Sequence, residues 1–174
     1  MNHPTTVVAI PARLESKRLP RKLLADVGGK PLLQRVLERC LEAQHPAAVV
    51  LCTDSEELRD KASQWALPRP VPVVMTPASC SSGSERLACA LPELLEFAEG
   101  GDAAHCWVLN VQGGQPFVDP NIIDAMAERC SEAILSATPS ETERTCDVSD
   151  GHGARMVFMA LSTSRSISLK PSQP

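Results

Sequence analysis

The sequence predicts an α/β domain with a mainly parallel sheet, and two observations support this fold class. Short apolar runs typical of buried strands alternate with segments whose apolar residues recur at helical spacing, without internal repeats. Polar or basic motifs also follow three of the predicted strands, near Pro11, Thr53 and Val111. Right-handed crossovers would bring these strand ends to one edge, where open α/β sheets bind ligands. The sequence therefore predicts a ligand site at that edge.

The predicted strands are short and rich in aliphatic residues. They lie at residues 7–10, 48–52, 71–75, 106–111 and 133–137, with a further candidate at 155–161. The first is β-branched and is expected to break at Pro11. The second is an unbroken apolar run, which is typical of a strand covered on both faces. Pro72 weakens the prediction of the third strand.

Four helices are expected between these strands. The first follows the turn at 28–31 and runs from Leu32 to about residue 43, and either Asp54 or Ser55 caps the second. Ser82 opens the third, in which Pro92 predicts a kink or an early break. The fourth begins at Pro120, and its inward face is expected to comprise Ile122, Ile123, Met126 and Ala127.

A basic loop follows the first strand. Residues 13–22 hold five cations (Arg13, Lys17, Arg18, Arg21 and Lys22) against one acid, Glu15. A strand that delivers such a loop to its carboxyl end is what a phosphate site requires. A solvated basic loop without a ligand explains the charge equally well, and charge alone does not separate the two.

Length and composition exclude several classes of protein. The chain has 174 residues, which predicts one domain, and its net charge of −4 argues against nucleic-acid binding. Its seven cysteines are scattered without C-x-x-C spacing, so buried reduced thiols are expected rather than disulfides or zinc. No apolar run reaches membrane-spanning length and no signal peptide is evident. These features together predict a cytoplasmic protein that does not act on membranes.

Four ordered motifs resemble the sugar-nucleotide cytidylyltransferases, most closely the group that activates the sugar acid 3-deoxy-manno-octulosonate (Kdo). The first is I-P-A-R at 10–13, continued by Ser16, Arg18, Leu19, Pro20 and Lys22. The others are Thr53 with Asp54, S-G-S-E-R-L-A at 82–88, and N-V-Q-G at 110–113 followed by Pro116. Any one of these motifs alone would be weak, but their order and spacing agree with the family.

The resemblance implies a three-layer, Rossmann-like nucleotidyltransferase fold and a reaction that transfers CMP from CTP to Kdo, with release of pyrophosphate. Arg13 and Lys22 would be catalytic residues on the triphosphate. The CTP-binding set would comprise Ala12, Arg13, Arg18, Lys22, Ser82, Arg86 and Gln112. For Arg86, a solvated arginine or one that neighbours Glu85 is the alternative. Lys17 and Arg21 are expected to be solvated.

The resemblance also implies Mg²⁺, but one of the family's metal ligands is replaced. The family has Asp-Glu where this chain has Gly114 and Gln115, and glycine offers no carboxylate to this hard cation. We therefore assign no metal ligand and expect an impaired site with negligible turnover. The alternative function is a catalytically inactive nucleotide-binding homologue or remnant.

The pattern changes near Pro139. We expect residues 1–138 to form the nucleotide-binding core and residues 139–174 to be a degenerate or truncated, partly disordered tail. Family members are longer and homodimeric, so the resemblance implies that the fold is incomplete at the C-terminus and that the dimer-forming segment is missing. Other nucleotide folds are disfavoured, because neither G-x-G-x-x-G nor G-x-x-x-x-G-K-[ST] occurs.

Overall fold

The computed structural model describes residues 5–15, 19–98, 106–135 and 155–158, with only the backbone path given for 131–135 and 155–158. Its strands are β1 (Thr5–Ala12), β2 (Ala48–Thr53), β3 (Val73–Met75), β4 (Cys106–Asn110) and β5 (Arg155–Phe158). Its helices are α1 (Leu32–Leu41), α2 (Glu56–Gln64), α3 (Gly83–Glu96) and α4 (Pro120–Leu135), and a 3-10 turn covers Lys22–Leu24.

The five strands form one parallel sheet in the order β3-β2-β1-β4-β5. The chain moves outward from β1 through β2 to β3, and then crosses to β4 and β5 on the other side. The strand order therefore reverses between β1 and β4. In open α/β sheets this reversal leaves a crevice outside the carboxyl ends of the two central strands.

Apolar residues cover the sheet on both faces and make it the middle of three layers. Val8 and Ile10 of β1 pack with α1, α2 and α4, whereas Val7 and Ala9 pack with Leu87 and its neighbours on α3. All four of these β1 residues are fully buried. The predicted Rossmann-like α/β fold is confirmed.

The first strand does not break at Pro11, as the sequence predicted, but continues to Ala12. Ala9 accepts a hydrogen bond from the N–H of Val111, so alternate residues of β1, Pro11 included, present their backbone groups towards β4. Because β4 ends at Asn110, no partner there requires the N–H that proline lacks.

Two helix predictions also need correction. α3 continues through Pro92 to Glu96, because this proline lies on the exposed face, where water can satisfy the carbonyl group it frees. α4 extends to Leu135, so residues 133–135 are helical rather than part of a strand, and residues 136–137 lie outside the described ranges. Ile122 is exposed, whereas Ile123 and Ala127 are buried as expected.

The prediction of a strand within 155–161 is confirmed over Arg155–Phe158, which pairs with β4. The rest of the expected tail lies outside the described residues. The division of the chain at residue 138 stays a prediction.

Candidate functional site

An open cleft with a volume of about 350 Å³ lies at the carboxyl ends of β1 and β4. Six of the seven residues that the sequence assigned to CTP line this cleft: Ala12, Arg13, Lys22, Ser82, Arg86 and Gln112. The seventh, Arg18, lies outside the described residues. Segments that are far apart in sequence thus meet at the point where the strand order reverses, as the positions of the motifs predicted.

Two cations on the β1 side of the cleft are exposed. Arg13 follows the last residue of β1, and Lys22 opens the 3-10 turn, which is anchored by buried Leu23. Neither side chain forms an ion pair with a described carboxylate, although Glu15 also lines the cleft. Arg21, by contrast, pairs with Glu57 outside the cleft. The cations that face the cleft can therefore accept an anionic ligand.

Lys22 extends across the cleft to the loop after β4. A Cβ atom added at Gly114 would lie 3.2 Å from the Lys22 Nζ atom. A side chain at this position would therefore contact the flexible end of Lys22. Its ammonium group is next to Gly114, the position where the resemblance implies an aspartate.

The third wall is the N-terminus of α3. Ser82 caps the helix by accepting a hydrogen bond from the N–H of Glu85, at 3.1 Å. The Glu85 carboxylate in turn accepts hydrogen bonds from the hydroxyl and the backbone N–H of Ser81. These bonds, led by the one from the hydroxyl, hold the pKa of Glu85 below its usual value. The bond from the Glu85 N–H holds the Ser82 hydroxyl at the cleft edge, while the Glu85 carboxylate holds the preceding residue, Ser81.

Arg86 is buried, with only 2% of its surface exposed. It donates hydrogen bonds to the Asp54 carboxylate, at 2.9 Å, and to the Thr76 hydroxyl. The alternative of a solvated arginine, or one that merely neighbours Glu85, is therefore wrong. These bonds link α3 to the segments that follow β2 and β3. The remaining N–H groups of the Arg86 guanidinium can donate hydrogen bonds to a ligand.

Glycines allow the walls to approach closely. A Cβ atom at Gly83 would lie 3.2 Å from the Pro11 ring, and one at Gly113 would lie 3.2 Å from the Pro11 carbonyl oxygen. Gln112, just before Gly113, is exposed and donates a hydrogen bond to the side chain of Asn110, at 3.3 Å. The loop after β4 therefore lies close against the end of β1 at Gly113, and the Gln112 side chain is held to β4 itself.

Sequence reasoning did not assign three residues of the lining to the site, namely Glu15, Leu23 and Cys80. It also missed that Asp54 is the partner of Arg86. Both residues lie in motifs and Asp54 follows a strand end, but no local pattern links the two.

A family model described as cytidylyltransferase matches residues 7–157. Among curated proteins, the chain is similar to a 3-deoxy-manno-octulosonate cytidylyltransferase from Leptothrix cholodnii. The two are 45% identical over 120 residues, which cover 69% of this chain and 40% of that protein.

Among solved structures, the chain is similar to a CMP:2-keto-3-deoxy-manno-octonic acid synthetase in complex with CTP. The TM-score is 0.61 at 30% identity, over 74% of this chain and 48% of that one. Rv0371c from Mycobacterium tuberculosis, in complex with manganese, gives a TM-score of 0.50 over 73% of this chain and 59% of that one. Its identity of 19% shows the fold alone.

The chain spans about half the length of the proteins that it matches. The family model nevertheless covers most of the chain, including every part of the cleft described above. This chain belongs to the cytidylyltransferase family.

Proposed function

We propose that this protein binds CTP in the cleft and transfers CMP to a sugar acid of the Kdo type, with release of pyrophosphate. The observation that carries the proposal is the pair of exposed cations, Arg13 and Lys22, which face the cleft without a described carboxylate partner. A triphosphate supplies the complementary negative charge. Arginine offers a planar fork for two oxygen atoms and lysine a point charge, so the pair suits a polyphosphate chain.

In this reaction a sugar hydroxyl attacks the α-phosphorus of CTP as the bond to the pyrophosphate oxygen breaks. The protein needs to hold the two reactants in line and to neutralise the negative charge on the phosphates. Arg13 and Lys22 serve the second task. The remaining proposed nucleotide contacts are Ala12 with its adjacent backbone against the cytosine, Ser82, Arg86 and Gln112, with Arg18 supporting the loop or a phosphate oxygen.

The family's Mg²⁺ does not fit the residues of this cleft. A lysine ammonium lies next to Gly114, where the family places a carboxylate ligand, and Asp54 is held by Arg86. Residues 5–15, 19–98 and 106–130 hold no group of three or more potential metal ligands. The ion to test is Mg²⁺, which the resemblance to the family implies. We infer that this site is impaired for metal and assign the metal no step.

The position of Lys22 beside Gly114 also supports a second candidate function, in which the protein binds CTP without turnover. The two candidates share the cleft and differ only in whether product forms. Both are expected to act in the cytoplasm, in lipopolysaccharide or related glycan synthesis, and a homodimer remains an expectation. No described helix has the length and apolar character needed to cross a bilayer.

Calorimetric titration with CTP, in EDTA and in Mg²⁺, tests the binding step. We expect the Lys22→Gln variant to bind CTP more weakly than wild type. The control variant is Lys61→Gln, which removes a half-buried lysine that lies about 4.0 Å from Glu57 and does not line the cleft. Absence of CTP binding by the wild-type protein would contradict both candidates.

Pyrophosphate release with CTP and Kdo then separates the two candidates. Product formation supports the transferase, whereas binding without product supports the inactive homologue. Gly114→Asp restores the family residue next to Lys22. If this variant gains no dependence on Mg²⁺, then our placement of the missing ligand at residue 114 is wrong.

A further inference from the structure

Two cysteines lie side by side at the edge of the cleft. Cys80 belongs to the loop that leads into α3, is 5% exposed and lines the cleft, whereas Cys89 lies two turns into α3 and is exposed. Their sulfur atoms are 3.7 Å apart. The other described cysteines are buried, and burial raises the pKa values of Cys40 and Cys52 to about 12, which makes them poor nucleophiles.

We propose that Cys80 and Cys89 form a site of reversible oxidation and join in an intramolecular disulfide when the protein meets a peroxide. This inference does not depend on nucleotide binding. It corrects the sequence-based expectation of buried, reduced thiols at one position, because Cys89 is accessible to solvent.

The geometry requires only a local adjustment. A disulfide bond is about 2.05 Å long, so the two sulfur atoms must approach by about 1.7 Å. Cys89 is fixed by its helix, but Cys80 lies outside any helix or strand and its N–H bonds to the carbonyl of Pro77 within its own turn. Side-chain rotation with a small shift of this loop can therefore close the distance.

Solvent exposure and the raised pKa of Cys80 indicate which thiol reacts first. Cys89 is the thiol that an oxidant can reach, and desolvation together with the hydrogen bond to Cys89 raises the pKa of Cys80. The Cys89 sulfur attacks hydrogen peroxide to give a sulfenic acid and one water molecule. The Cys80 sulfur then attacks the Cys89 sulfur, which forms the disulfide and releases a second water molecule. The two thiols supply the two electrons and two hydrogens that convert one peroxide to two waters.

Oxidation would change the wall of the cleft. Cys80 lines the cleft, as do Ser82 and Arg86. Bonding Cys80 to α3 would draw this residue towards the helix and restrain the loop that precedes the Ser82 cap.

The test is peptide mapping of the full chain by mass spectrometry without reduction, after brief exposure to hydrogen peroxide and alkylation of the remaining thiols. We expect a cross-linked peptide pair holding Cys80 and Cys89, lighter by two hydrogens, which dithiothreitol separates. The Cys89→Ser variant changes an exposed position and should fold as wild type by circular dichroism but give no such pair. The control Cys146→Ser removes the cysteine outside the described residues and should keep the cross-link. If Cys89 instead reaches the sulfinic acid with Cys80 still alkylated, or links to another cysteine, the proposal is wrong.

Discussion

Two arginines of the same cleft have opposite environments. Arg13, on the β1 side, is exposed and has no described carboxylate partner, whereas Arg86, on the α3 side, is buried between Asp54 and Thr76. Both lie in motifs shared with the family, and sequence alone assigns both to the nucleotide. The difference shows that arginine has two roles in one cleft. Arg86 stabilises the wall of the cleft, and Arg13 remains available to bind a ligand.

Among the variants that test the different roles of these two arginines, the largest expected effect is a loss of folding stability when the partner of Arg86 is removed. Asp54→Ala leaves the buried Arg86 guanidinium without its carboxylate, and an uncompensated buried charge is strongly destabilising. We expect a loss of about 2–4 kcal/mol, below the range for fully buried pairs because Asp54 is partly exposed. Urea denaturation measures it. The control is Asp60→Asn, which removes an exposed partner of Arg59, and equal destabilisation by both variants would show that the Arg86 pair has no structural role.

The second effect should appear in binding rather than in stability. Arg13→Gln removes an exposed cation from the cleft, and a charge-assisted hydrogen bond is worth about 1.5–3 kcal/mol, or roughly a 10- to 150-fold loss of CTP affinity. The midpoint of urea unfolding should stay unchanged. Isothermal titration of this variant beside Arg59→Gln, which changes a half-buried arginine of α2 outside the cleft, measures the difference. If the Arg13→Gln variant binds CTP with unaltered affinity, then Arg13 does not bind the ligand.

The two glycines after β4 allow a similar comparison between a part of the cleft that is fixed and a part that can move. Gly113→Ala places a methyl group 3.2 Å from the backbone oxygen of Pro11, which cannot move freely, whereas the methyl group of Gly114→Ala meets the flexible end of Lys22. We expect Gly113→Ala to cost about 1–3 kcal/mol of stability and Gly114→Ala much less. Thermal unfolding of the two variants measures both values. A larger loss in Gly114→Ala would mean that the Lys22 position is rigid.

The smallest effect concerns the cap of α3. The pKa of Glu85 is lowered in the folded state by hydrogen bonds from Ser81, so its stabilising effect is present above the unfolded pKa. That effect is lost as the pH falls through the lower, folded pKa. We expect wild type to be more stable than Glu85→Gln at neutral pH, and the gap to close in acid. Unfolding curves from pH 7 to about pH 2 follow it, and a gap that widens in acid would contradict the assignment.

Local features of the fold could be predicted from sequence. Ser55 and Ser82 cap their helices as expected, because an N-cap depends on a few neighbouring residues. The cleft was predictable too, since parallel strands must end along one edge and Arg13 directly follows a strand. The loop cations could be placed there from the first motif alone.

Features that depend on distant packing could not be predicted. Arg86 and Asp54 are 32 positions apart and follow different strands, so nothing local indicates their pairing. Pro92 was expected to disturb α3, but its effect depends on which face of the helix meets water. The short apolar run at 133–137 was compatible with a strand or a helix, and periodicity does not distinguish them over so few residues.

The most direct test of the central claim is a crystal structure of the full chain with CTP. We predict that triphosphate oxygens lie within hydrogen-bonding distance of Arg13 and Lys22 while the Arg86 guanidinium keeps Asp54 as its partner. A nucleotide bound outside this cleft, or one whose phosphates touch neither Arg13 nor Lys22, would contradict the account.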